Sequence, residues 1–266
     1  MPSEHLAIYQ LPPAPPVEIL CCHYALLRTW DYPDLTAPYW RWYWVDRPGA
    51  SITLGGKRFE LVPEQVVLIP ANTPFAAHNR SDIGFLYIHF FVEAVYKQPD
   101  PAPVVLPLAA GQVRLIRDFA SRFPELEREG VSPLFSLPMA FVTLALSLTK
   151  KEFWTIAFYD ARVDKALKLI ETQYPDAVPN QRLAQAAGMN TNAFIRMFRR
   201  VTGQTPCQFL QGLRFKEASS LLHHSKLSIE AIAEKIGFND RQHFNLMFRK
   251  NFRITPVQFR KNALKL

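Results

Sequence analysis

The stretch IAEKIGFNDRQHFNLMFRKNFRITPVQF (232–259) decides how the rest of the chain is read, because LAQAAGMNTNAFIRMFRRVTGQTPCQF (183–209) repeats its pattern. Gly188 pairs with Gly237 at an offset of 49 residues, whereas Phe198 pairs with Phe248 and Pro206 with Pro256 at an offset of 50. One residue is therefore inserted after the turn of the second copy. Two matched units of this length mark a duplicated supersecondary element.

Each copy reads as a helix-turn-helix. Leu183, Ala184 and Ala187 give the first short helix its apolar face, and Ile232, Ala233 and Ile236 do the same in the second copy. Gly188 and Gly237 break those helices where a left-handed conformation suits glycine. Met189 and Phe238 plug the angle between helices, and Asn190 and Asn239 are the expected caps of the helices that follow. Phe194, Phe198 and Val201, and likewise Phe244 and Phe248, fall on the inner face at helical spacing. Asn192, Ile195, Arg196 and Arg199 then face outward in the first copy, and Arg241, Gln242, Asn245 and Arg249 in the second. Between the copies a single helix is expected from Pro206 to about Leu222, with Thr205-Pro206 as its start signal, repeated at Thr255-Pro256. About 16 residues at 1.5 Å each span roughly 24 Å. With the offset of the flanking units, the two outward helices come about one DNA turn apart, near 34 Å.

Charge points the same way. The chain has 266 residues and a formal net charge of +8. Residues 160–266 hold 18 Lys/Arg and 8 Asp/Glu, whereas residues 1–159 hold 13 and 15. The basic excess lies wholly in the segment with the repeat, as a polyanion partner requires. Arg can donate two hydrogen bonds to guanine, Asn or Gln can pair bidentately with adenine, and Ile195 suits a thymine methyl. Arg199, Arg200, Arg249 and Lys250 sit at helix ends, where phosphate contacts fix register without reading sequence.

The first half has a different texture. Residues 17–95 are rich in β-branched and aromatic residues, broken by turn formers, as in ASITLGGKRFEL (50–61), QVVLIPANTPF (65–75) and IGFLYIHFFV (83–92). Gly55-Gly56 is a hairpin signal. The spacing predicts a β-sandwich or small barrel, followed by helices over Gln112–Phe123 and Pro133–Lys150. Within the second helix Leu137, Phe141, Leu144 and Leu148 form a stripe that serves as core or as a dimer surface. The three cysteines, adjacent Cys21 and Cys22 and remote Cys207, make neither a disulfide framework nor a zinc spacing. No apolar run approaches the roughly 20 residues of a membrane span, and the N-terminus has no secretion signal, so a cytoplasmic setting is expected. By strand alternation Trp40, Trp42 and Trp44 share one face, Arg41 and Tyr43 the other, and Phe85, Tyr87 and His89 share a face. Aromatic planes with a few polar tips suit a sugar ring. Arg41, Trp42, Tyr87 and His89 are the candidate ligand-binding residues.

From about Val163 to Lys261 the chain resembles the DNA-binding domain of the AraC/XylS family of bacterial transcription regulators. The resemblance rests on the two glycine turns, on FLQGLRFKEASSLL (209–222) and above all on residues 232–260. It implies that Asn192, Ile195 and Arg196 read bases in the first unit. Arg241, Gln242 and Asn245 would do so in the second, with His243 near the backbone. Where the first unit has Arg196 the second has Leu246. The stretch EQVVLIPANTPFAAHN (64–79) resembles a cupin strand-turn-strand. Phe75 stands where a metal-dependent cupin places a histidine, so no metal, cofactor or catalytic residue is expected.

The expected architecture is α+β in two domains. Residues 1–150 form a cupin-like effector-binding and dimerisation domain with two helices. Residues 151–160 are a linker, and 161–266 an all-α domain with two helix-turn-helix units on a linker helix. The expected function is that of a non-enzymatic regulator, for example an activator. It would bind double-stranded promoter DNA as a homodimer, respond to a small effector such as a sugar and act on RNA polymerase. The proline-rich arm 1–16 is a candidate cover for the ligand. Three alternatives stay open: a regulator without ligand control, a cupin-type enzyme fused to a DNA-binding module, and an alkyl-transfer repair protein.

Overall fold

The computed structural model describes residues 17–92, 96–97, 103–129, 133–149, 155–156 and 160–263. The arm at 1–16 lies outside these residues, as does most of the 151–160 linker. The first half forms strands β1 (Val17–Leu27), β2 (Tyr32–Leu35), β3 (Trp40–Val45), β4 (Ala50–Leu54), β5 (Lys57–Leu61), β6 (Gln65–Ile69), β7 (Phe75–Asn79), β8 (Ile83–Val92), β9 (Tyr96–Lys97) and β10 (Val104–Pro107). One antiparallel sheet has the order β1-β8-β3-β6-β10 and the other β2-β7-β4-β5, so the domain is a β-sandwich. A short strand β11 (Thr155–Ile156) pairs with β9. The hairpin expected at Gly55-Gly56 joins β4 to β5, and both glycines have positive φ (56° and 78°), as a tight two-residue turn requires.

Strand β3, WRWYWV, is buried along its whole length because both of its faces are covered. Trp40, Trp42 and Trp44 point to the outer side, where helices α1 (Ala110–Glu129) and α2 (Pro133–Ser147) close over them with Phe119, Phe123, Phe141 and Val142. Tyr43 and Val45 point between the sheets, into a core with Trp30, Ile52, Val67, Phe75, Phe85 and Tyr87. Helix α1 runs past its expected end at Phe123, with Pro124 inside it. The α2 stripe is divided: Phe141 is core, stacked on Trp42 at 5.8 Å, whereas Leu144 and Leu148 are exposed.

The second half consists of α3 (Ala161–Gln173), α4 (Asn180–Ala186), α5 (Thr191–Thr202), α6 (Pro206–His224), α7 (Ile229–Lys235), α8 (Arg241–Phe252) and α9 (Pro256–Ala263). The repeat is visible in its caps. Thr205 and Gln208 form a capping box at the start of α6, and Thr255 and Gln258 make the equivalent bonds at the start of α9. Helices α5 and α8 both end on a left-handed residue, Gly203 (φ +78°) and Arg253 (φ +61°). Asn190 caps α5 by accepting from the Ala193 amide at 2.9 Å. The cap of α8 is Asp240, which accepts from the His243 amide at 2.6 Å, rather than Asn239. The residue inserted after the second turn moves the cap one place along.

Each unit has its own phenylalanine-based core. Phe194, Phe198 and Phe209 pack with α3 and α4, while Phe215, Phe244, Phe248, Phe252 and Phe259 build the second. The second core continues into the sandwich through Leu20, Ala37, Tyr39 and Phe91. Among the described residues no helix is long and apolar enough to cross a membrane.

Candidate functional site

The outward face of α5 carries the side chains expected there. Asn192, Arg196, Arg199 and Arg200 are exposed and Ile195 is half-buried. Arg196 and Arg200, one helical turn apart, line an open groove with Arg162, Met189, Ala193 and Met197. The first unit thus presents a cationic furrow with an apolar floor. In the second unit Arg241, Gln242, His243, Arg249 and Lys250 are exposed, and the His243 ring lies edge-on to Phe238 at 5.4 Å. Asn245 is half-buried and its Oδ1 is covered without a hydrogen-bond partner, so its amide is less available than expected. Leu246 stands in its place on the surface, 65% exposed. This large apolar side chain is exposed on the outward face of α8, at the position where the first unit has Arg196.

A second site lies where the two domains meet. Arg41, Tyr87 and His89 line one cavity of about 70 Å³, together with Trp30, Tyr39 and Tyr43 of the sandwich. Its roof is His223, Ile254 and Phe259, all from the helical half. Trp42 is a correction. It occupies the opposite face of β3, under α2, because neighbouring residues of a strand point to opposite sides. Tyr43 and Tyr39 take its place. Tyr43 follows from the alternation that selected Arg41; His223, Ile254 and Phe259 carry no local signal.

The electrostatics of this cavity are unusual. Arg41 is only 3% exposed and its Nη1 has no hydrogen-bond partner. Its guanidinium rests instead on the rings of Tyr39 (5.1 Å) and Phe75 (5.0 Å). A guanidinium stays charged when buried, so the site holds a cation with an unsatisfied donor. Burial raises the Tyr39 and Tyr87 hydroxyls well above the ordinary tyrosine range and pushes Tyr43 up to about 12, so all three are neutral donors. Burial, reinforced by Arg41 and His223, holds His89 well below the ordinary histidine range. Burial, with His224 and His23 adding to it, lowers His223 to about 4.

Beside the cavity, Cys21 Sγ lies 3.4 Å from His89 Nδ1, and donor atoms of Cys21, His89 and His223 all fall within 4.8 Å of one another. Burial pushes the Cys21 thiol up to about 12. No local pattern around Cys21-Cys22 signals this grouping, because its members are 68 and 134 residues apart. His78 lies elsewhere, exposed and paired with Asp31 at 3.2 Å.

A duplicated helix-turn-helix built around one long helix, attached to a β-sandwich, defines the class: a two-domain helix-turn-helix protein. Residues 183–262 match the family described as a helix-turn-helix domain. The chain is 34% identical over 107 residues, 40% of its length, to an uncharacterized HTH-type transcriptional regulator of Haemophilus influenzae. It is 28% identical over 148 residues, 55% of its length, to the HTH-type transcriptional activator RhaS of Escherichia coli. These matches span 36% and 53% of the two relatives. ToxT from Vibrio cholerae superposes over 94% of this chain and 99% of its own, with a TM-score of 0.60 and 13% identity, a likeness of fold that includes both domains. A ToxT structure with unsaturated fatty acid bound superposes over 92% and 94% of the two chains, with a TM-score of 0.59 and 13% identity. The chain is thus similar to helix-turn-helix transcriptional regulators of the AraC/XylS family, with a β-rich N-terminal domain.

Proposed function

We propose that this chain is a sequence-specific transcriptional regulator whose hold on promoter DNA changes when a small effector enters the cavity between its domains. Asn192, Ile195 and Arg196 of the first unit, and Arg241, Gln242 and Asn245 of the second, read bases, with Leu246 added against a thymine methyl. Arg199, Arg200, Arg249, Lys250 and His243 hold the backbone. In this reading residues 1–150 serve effector and dimer contacts and 161–266 serve DNA. The exposed Leu144 and Leu148, with the neighbouring Leu115, are the homodimer surface. The setting is the cytoplasm, and the outcome of binding is activation through RNA polymerase.

The observation that carries this reading is the shared wall of the cavity. Arg41, Tyr87 and His89 belong to the sandwich, while Ile254 and Phe259 belong to the second helix-turn-helix unit. A cavity of about 70 Å³ is smaller than the roughly 150 Å³ that hosts a benzene-sized guest. A sugar-sized effector can enter only by opening the seam, and that opening moves the second unit. The rings favour the CH face of a sugar, and Arg41 Nη1 supplies the donor for its oxygen atoms or for a carboxylate. ToxT, similar in fold, has been solved with an unsaturated fatty acid, which makes fatty acids the comparison class for the same test.

The test combines footprinting with a thermal-shift screen of sugars, sugar acids and fatty acids. Protection of two adjacent major grooves on one face of the duplex, altered by a compound that raises the melting temperature, is the expected result. Protection too short for two groove entries removes the two-unit mechanism. A protein that footprints normally and responds to no compound is a regulator without ligand control.

A further inference from the structure

Four of the seven histidines and two of the three cysteines gather at the seam between the domains: His23, His89, His223, His224, Cys21 and Cys22. Two of the imidazoles have other duties. His224 Nε2 donates to the carbonyl oxygen of Leu20 at 2.7 Å, and His23 lies 4.0 Å from Glu127. Cys22 packs with the other face of its strand, against the core under α1 and α2. Cys21, His89 and His223 are left facing one point.

We propose that Cys21 Sγ, His89 Nδ1 and a ring nitrogen of His223 form a three-coordinate site for a soft monovalent metal ion, Cu(I), which ties the sandwich to the linker helix. Metal–nitrogen bonds of about 2.0 Å and a metal–sulfur bond of about 2.3 Å place trigonal donors roughly 3.5–3.7 Å apart. The Cys21–His89 pair at 3.4 Å is already at that spacing. His223, within 4.8 Å, completes it by a small ring movement. Both imidazoles are neutral at pH 7, so their lone pairs are free for a metal. The set of one thiolate and two imidazoles suits Cu(I) and Zn(II) alike.

Charge decides between them. Binding Cu(I) releases one proton from the Cys21 thiol to solvent and forms a copper–sulfur bond. The thiolate and the monovalent ion then sum to zero, and no electron moves when copper is supplied as Cu(I). A divalent ion would leave an uncompensated positive charge in a buried site already occupied by Arg41, which is costly in low dielectric. Rings close the surroundings: Tyr39 stacks on His89 at 4.4 Å and Tyr87 lies at 4.8 Å. Such a dry shell shields the reduced ion from solvent.

Because His223 lies in α6, which both helix-turn-helix units share, an ion here fixes the seam that an effector would open. The test is anaerobic titration of the full chain, fully reduced and with Cys207→Ser to remove the exposed thiol, with Cu(I) against a chromophoric Cu(I) chelator. A parallel titration uses Zn(II). The expected result is one Cu(I) per chain with a raised melting temperature, and loss of both in Cys21→Ser and in His223→Ala. His223→Ala alters a half-exposed residue and keeps the test decisive if Cys21→Ser does not fold. Absence of chelator-resistant Cu(I), or an unchanged complex in His223→Ala, overturns the site. Tight Zn(II) binding without Cu(I) binding overturns the charge argument.

Discussion

The imidazole of His224, at the last turn of α6, donates from Nε2 to the carbonyl oxygen of Leu20 in β1 at 2.7 Å. The acceptor is a backbone carbonyl, so the ring must carry its proton on Nε2. Two helical turns earlier Lys216 pairs with Glu18, and its ammonium sits 5.2 Å above the Phe91 ring. The helix shared by the DNA-binding units is thus fastened along one edge of the sandwich.

Base reading and backbone holding separate in a pair of variants. Arg196→Ala is expected to cost roughly 1–3 kcal/mol on the operator and to relax preference at one base pair. Arg200→Ala weakens operator and random DNA alike and lowers the salt slope by about 1. Affinity titrations at several salt concentrations distinguish them; equal losses on both DNAs for Arg196→Ala remove its reading role.

Leu246 is tested by removing a methyl group from the DNA. Replacing the contacted thymine by uracil is expected to cost about 0.8 kcal/mol, the value of one buried carbon. The Leu246→Ala protein should show no such difference. A wild-type protein indifferent to uracil at every operator position rules out the contact.

Gly188 and Gly237 occupy equivalent turns, with φ +66° and +79°, but differ in their surroundings. An added Cβ at Gly188 meets open space, so Gly188→Ala carries only the left-handed backbone cost of roughly 1–2 kcal/mol. At Gly237 the Cβ would lie 2.4 Å from the Pro175 carbonyl oxygen and 2.9 Å from Arg214 Nη2, which itself donates to that oxygen at 2.7 Å. Gly237→Ala is therefore expected to lose about 1–3 kcal/mol more, the usual toll of overpacking. Urea unfolding of the two variants measures the difference.

Arg41→Met gives opposite signs in two measurements. Replacing a buried, unpaired cation by an apolar chain leaves stability unchanged or raises it by about 1–4 kcal/mol. The melting-temperature rise produced by an effector is expected to vanish. A destabilised variant that still responds contradicts the assignment of Arg41 to the effector.

Acid should loosen the seam. Burial disfavours the charged forms of two seam histidines and holds His223 at about 4 and His89 well below the ordinary histidine range, whereas in the unfolded chain both titrate near 6.5. Between these values the unfolded state binds more protons, so stability present above pH 6.5 is lost progressively as pH falls toward 4. The neighbouring His23, His224 and Arg41 push in the same direction. Melting temperatures measured from pH 7.5 to 4.5 should fall over this window. The fall should be shallower in His223→Gln.

Whatever depends on local chemistry and period was legible in the order of residues. The glycine turns, the Thr-Pro helix starts, the inward phenylalanines and the outward arginines of the repeat are written at short spacing, where backbone geometry leaves little choice. The faces of β3 are equally legible: a two-residue period separates Arg41 and Tyr43 from Trp42, although it does not say which face is the cavity. One inserted residue moved the second cap from Asn239 to Asp240, a shift that depends on the conformation of a single turn. Tertiary structure alone decided what meets across distance. His89 finds Cys21 because β8 pairs with β1, and His223 joins them because the second phenylalanine core packs onto Leu20, Tyr39 and Phe91. Such contacts follow from apolar burial between elements far apart in the chain, which no local pattern encodes.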